Sequence, residues 1–170
     1  MELVFAFVLS LAVVYDLQER KIPNALTVGG LVAALCLRLV MEPASVGTGI
    51  LGAGLALVVA LPLFAFGAFG AGDGKFLVAV GAFLGLEGLP AAMLATGLIG
   101  GILTIFSLWR RGILLPALRQ VKDLTLYWVT LGRAGGRRTL ETAGGESAVP
   151  YGVAIAAGAA VIWATGITLP

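Results

Sequence analysis

Residues 46–76 read VGTGILGAGLALVVALPLFAFGAFGAGDGKF. The part from 46 to 69 is an unbroken apolar run, longer than the about 20 residues a helix needs to cross a ~30 Å hydrocarbon core. It gives way to Gly70-Ala71-Gly72-Asp73-Gly74-Lys75, an acid among glycines at an expected membrane boundary. Further apolar runs fall at roughly 2–16, 25–41, 74–88, 90–108 and 150–168. Their number predicts an all-α polytopic membrane protein with six transmembrane helices, forming a single membrane domain over 1–170. The fourth and fifth runs are separated only by Leu86-Glu87-Gly88-Leu89-Pro90, which reads as a tight turn punctuated by glycine and proline.

Composition agrees with this class. The chain is 59% hydrophobic and 12% charged, where a soluble domain carries about 25% charge. Glycine supplies 25 of 170 residues, about twice the usual ~7%, and small residues let membrane helices approach closely. The chain has no histidine, which removes His-bearing zinc protease motifs, Ser-His and Cys-His catalysis and His-ligated haem. The single Cys36 allows no disulfide within one chain and reads as a small core residue. Met1-Glu2-Leu3 opens without a basic stretch, and no small-x-small cleavage site precedes Asp16. The first run is therefore expected to be a retained helix and not a cleaved signal.

Charge orients the runs. With the N-terminus outside, the segments 17–24, 70–75 and 109–149 face the cytoplasm and hold ten of the 11 basic residues, as the positive-inside rule requires. Arg38 is the exception, near the outer end of the second run, where it can snorkel. Glu2, Glu42 and Glu87 fall outside. Between 109 and 149, apolar residues such as Trp109, Leu115, Leu118 and Trp128 interleave with Arg111, Arg119 and Lys122. That pattern suggests a cytoplasmic amphipathic segment lying on membrane lipids or taking part in substrate docking.

Two aspartates then stand out. Asp16 closes the first run, ahead of Leu17-Gln18-Glu19-Arg20-Lys21-Ile22-Pro23-Asn24, and Asp73 opens the fourth. An even number of crossings separates them, so both reach the same face. The two runs that carry them are the shortest, which draws both acids toward the membrane boundary. Acids at membrane depth are costly and point to function, and partial desolvation favours one shared proton between two carboxyls. Each acid alone also fits an ordinary polar turn. The glycines around Asp73 do not make a phosphate loop: Phe69 and Phe76 stand where such a motif needs Gly and Ser or Thr. No nucleotide or nucleic-acid partner is expected. Gly70, Gly72 and Gly74 clear side chains from around the carboxylate so that another helix or an extended peptide can approach.

Taken together, Asp16 with Ile22-Pro23-Asn24 and Gly70-x-Gly72-Asp73-x-Lys75 resemble the type IV prepilin peptidases, polytopic aspartyl proteases of the prokaryotic inner membrane. Val149-Pro150-Tyr151-Gly152-Val153 is similar to the start of that family's last helix. The resemblance implies Asp16 and Asp73 as the catalytic pair, with Pro23, Asn24, Gly70, Gly72, Gly74 and Lys75 as motif residues around them. It implies cleavage of prepilin or pseudopilin leader peptides at the cytoplasmic membrane face, with no cofactor or metal. The chain lacks the cysteine pairs and the N-terminal extension of the longer, N-methylating members, so it resembles the short Flp/Tad-type, CpaA-like ones. A small ion-coupled transporter and a non-catalytic pilus or secretion assembly subunit remain alternatives.

Overall fold

The computed structural model describes residues 1–65, 70–110, 112 and 151–166. The described residues form helices α1 (Glu2–Glu19), α2 (Asn24–Met41), α3 (Val46–Ala65), α4 (Ala71–Arg110) and α5 (Tyr151–Thr165), with one 3-10 turn at Pro43–Ser45. The chain divides into two units, Met1–Gly100 with Pro150–Pro170, and Gly101–Val149. In the second unit the described residues are the end of α4 and Gly112, with the Phe106 and Trp109 rings 6.2 Å apart. The expected amphipathic segment of 109–149 lies, beyond Arg110 and Gly112, outside the described residues.

The fold is all-α, but the described residues do not form the expected six transmembrane helices. Three stretches of the described residues are long and apolar enough to cross a membrane: Asn24–Met41, Pro43–Ala65 and Ala71–Arg110. Each of the missing crossings has a physical reason. The 18 residues of α1 include Glu2, Asp16 and Glu19, too many acids for an apolar span. Helix α5 has only 15 residues. The fourth and fifth runs are one 40-residue element, interrupted at Gly85 and not by a turn at 86–90.

Local sequence explains how the elements end. Helix α1 runs past Asp16 to Glu19, and Arg20 takes a left-handed conformation (φ 52°, ψ 28°) with its N–H returned to the Asp16 carbonyl. Lys21 and Ile22 lead to Pro23, whose extended backbone (φ −61°, ψ 140°) starts α2. The Pro23 carbonyl accepts the N–H groups of Leu26 and Thr27. Within α4, Gly85 sits at φ 74° and ψ −177°, a conformation that only glycine adopts without strain.

Packing in the first unit centres on Phe5, Phe76, Val80, Phe83, Leu89 and Ile155, all nearly inaccessible. The Phe5 ring lies 4.6 Å from Phe83 and 4.8 Å from Trp163, centroid to centroid, joining α1, α4 and α5. Elsewhere the helices meet through small residues. At the α3–α4 crossing, a methyl group on Gly52 would run into the Gly81 carbonyl, and one on Gly81 would lie 2.6 Å from the Gly52 carbonyl. Leu3, Phe7, Val40, Val58 and Leu98 point outward and are largely exposed. This apolar exterior around a small-residue interior is that of a membrane-embedded bundle. Cys36, read as a core residue, is exposed.

Candidate functional site

The break between α1 and α2 brings Asp16 to a crowded corner. Asp16 is buried on the last full turn of α1, at 4% exposure. Its Oδ2 accepts the Val153 N–H at 2.9 Å, and the Gly152 N–H bonds the same carboxyl. Both donors belong to the first turn of α5, where N–H groups have no partner within the helix. The positive end of the helix dipole faces the acid there. The carboxyl also sits so close to Gly152 that a methyl group at that position would lie 2.7 Å from Oδ2.

Ile22 is the hinge of the cluster. Its side chain packs on Gly152, at 2.9 Å from the position a Cβ would take there. Its backbone covers Gly72, where a Cβ would lie 3.3 Å from the Ile22 nitrogen and 3.4 Å from its carbonyl oxygen. Gly72 therefore allows the α1–α2 connection to lie directly on the start of α4. Asp73 follows in the first turn of α4, half-buried. Its carboxyl is bonded by the Gly70 N–H, and Asp16 is close enough for its charge to act on Asp73. A Cβ on Gly70 would sit 3.1 Å from Asp73 Oδ2.

A second contact joins the same two segments. Lys75 Nζ donates to Asn24 Oδ1 at 2.8 Å, tying the start of α2 to the start of α4. Pro23 stands between Ile22 and Asn24 and fixes the entry to α2. Gly74 is buried, but a Cβ there would make only an ordinary 3.4 Å contact with Ala60. The eight residues singled out in the sequence thus fall in two short segments, and the start of α4 lies against the α1–α2 connection. Ile22, Gly152 and Val153 lie in stretches that carry the resemblance but were not among the expected site residues. For Gly152 and Val153 the available signal was a proline and a glycine just before an apolar run, which marks a helix start. The partner of that helix start is a tertiary fact.

Among the described residues no group of acidic or cysteine side chains is arranged to hold a metal ion. Beside Lys75, an apolar groove of about 380 Å³ runs between α2, α3 and α4, lined by residues including Leu31, Leu57, Phe64 and Val78.

No curated protein and no solved structure matches the chain. The model of the type IV leader peptidase family matches residues 3–105, a stretch that contains α1 to α3, most of α4, and both aspartates with their motifs. With more than half of its length matched, through both acid-bearing segments, the chain belongs to the type IV leader peptidase family.

Proposed function

We propose that this chain is a membrane aspartyl endopeptidase that removes the leader peptides of type IV prepilins or pseudopilins, with Asp16 and Asp73 as its acid–base pair. The observation that supports the proposal is that Ile22 packs its side chain on Gly152, beside Asp16, and lays its backbone on Gly72, next to Asp73. There Asp16 is nearly enclosed and Gly72 and Gly152 leave room for close approach.

The chemistry follows from that arrangement. Two like charges at close range favour one proton shared between them. The Asp16 oxygen that accepts backbone N–H groups suits the ionised form, so Asp16 takes the proton from the attacking water. Asp73 holds the shared proton and delivers it to the scissile carbonyl as the tetrahedral intermediate forms. As the C–N bond breaks, the Asp16 proton passes to the leaving amine and a hydroxyl of the intermediate returns its proton to Asp73, so the pair is restored and no covalent intermediate is formed. Gly70 and Gly72 keep the approach to Asp73 free of side chains, while Lys75 and Asn24 hold the two segments in register. The apolar surface of the bundle keeps the reaction at a membrane, where a substrate with a hydrophobic helix resides.

Co-expression with a prepilin tests the proposal. The leader should be removed by the wild-type chain, and cleavage should fall below detection on a gel for Asp16→Asn and for Asp73→Asn while both proteins still insert. Substantial cleavage by either variant would sink the pair.

A further inference from the structure

Arg38 is the one cation among the described residues that is buried, at 8% exposure. It does not snorkel. Its Nε donates to the Ala82 carbonyl at 2.9 Å, and Nη2 donates to the Phe83 carbonyl at 2.9 Å. Nη1 donates to the Ser45 carbonyl at 2.9 Å and to Thr48 Oγ1 at 3.1 Å. Gly49 makes room for the side chain: a methyl group there would lie 2.7 Å from Arg38 Cδ. Burying a guanidinium is costly unless its donors are satisfied, and here four hydrogen bonds meet it.

The acceptors explain the location. In an unbroken helix, the carbonyls of Ala82 and Phe83 would bond the N–H groups four residues on, at Leu86 and Glu87. Those residues lie beyond the break at Gly85. Arg38 therefore caps the end of the first arm of α4, residues 71–84, from a neighbouring helix. The same arm is tied to α2 at its start by Lys75 and Asn24. Midway, Gly30 faces Ala79, whose Cβ would be 3.7 Å from a Cβ on Gly30. Contacts at 24 with 75, 30 with 79, and 38 with 82 and 83 advance in the same direction along both helices. The arm cannot slide along α2 without breaking one of them. Asp73 sits at one end of this arm, roughly 14 Å from the Arg38 contact at 1.5 Å per residue.

We infer that Arg38 is a positioning residue for the reaction at Asp16 and Asp73: by capping the arm at its break, it fixes the register of α4 on α2 and so the placement of Asp73 beside Asp16. The inference rests on the peptidase reading for its activity readout and on geometry alone for its structural one. Arg38→Met removes every donor at similar volume. Arg38→Lys keeps the charge but cannot reach both carbonyls in a fixed fork.

The experiment uses the full chain in lipid nanodiscs. Cleavage of a prepilin gives kcat and KM, and the distance between spin labels at Leu17→Cys and Ala71→Cys is measured separately in a Cys36→Ser background. Both labelled positions are exposed and lie outside the proposed pair. A displacement of ~1 Å in reacting groups costs on the order of 100-fold in rate. Arg38→Met should therefore lower kcat by about that factor with KM changed by less than ~3-fold, and should shift or broaden the label distances. Arg38→Lys should fall between the two. An unchanged distance distribution in folded Arg38→Met, or wild-type kcat, overturns the inference. If Arg38→Met does not fold, Arg38→Lys decides by the same two measurements. A wild-type chain that cleaves nothing would sink the peptidase reading instead, and the distance comparison would still decide the role of Arg38.

Discussion

A methyl group at position 152 has nowhere to go. It would lie 2.7 Å from Asp16 Oδ2, 2.9 Å from its Cγ and 2.9 Å from the Ile22 side chain. Gly152→Ala must push the carboxyl away from the N–H groups that hold it, because the helix backbone behind it cannot retreat as easily. We expect at least a 10-fold loss of prepilin cleavage, since small misplacements at a reacting centre are amplified in rate. Gly54→Ala, where a Cβ meets nothing within 4 Å, is the matched control in the same gel assay and should cleave normally. Equal cleavage by the two variants would mean that Asp16 does not need its present position. At this scale the sequence was readable wherever chemistry is carried by the residue type itself. Asp16, Asp73 and the glycines of 70–74 announce themselves in a chain with so few charges. Ile22, Gly152 and Val153 do not, because an isoleucine, a glycine and a backbone N–H acquire a role only from what the fold sets against them.

Helices are legible from apolar runs, but crossings are not the same thing as runs. Hydropathy located α1, α2, α3 and α5 to within a few residues but divided α4 into two runs. The count of six failed because α1 carries three acids along its length, α5 is short, and Gly85 interrupts α4 without ending it. Gly88 and Pro90 looked like the punctuation of a turn, yet the non-helical backbone falls at Gly85, three residues before Gly88. Likewise Arg38 read as a side chain escaping to the surface, whereas the break in α4 supplies carbonyls that hold it inside. The α3–α4 crossing depends on the same economy of atoms. Gly81→Val places a branched side chain against the Gly52 carbonyl at 2.6 Å and the Ala56 methyl at 3.1 Å. Forcing such bulk into a packed interior costs roughly 1–3 kcal/mol. Thermal unfolding in detergent should show the variant losing stability, with cleavage falling in parallel because α4 carries Asp73. A variant as stable as wild type would mean that the two helices can part at no cost.

The first unit has two unlike ends. Where α1 ends and α2 and α4 begin, Arg20 and Lys21 follow Asp16 and Lys75 follows Asp73 along the chain. Where α2 ends and α4 breaks, Glu42 and Glu87 line a cavity of about 540 Å³ beside the buried Arg38, whose charge is spent on carbonyls. Basic residues are retained on the cytoplasmic side of a membrane, so the end that holds Asp16 and Asp73 should face the cytoplasm and the Glu42–Glu87 end the exterior. This orientation also suits the proposed chemistry, because a leader peptide that has not crossed the membrane can reach only the cytoplasmic side. Single cysteines at two exposed positions, Lys21→Cys and Glu87→Cys in the Cys36→Ser background, separate the alternatives. A membrane-impermeant maleimide applied to spheroplasts should label position 87, and should label position 21 only after the membrane is opened. The reverse pattern would place both aspartates outside, where an unprocessed leader never arrives, and the peptidase proposal would fail with it.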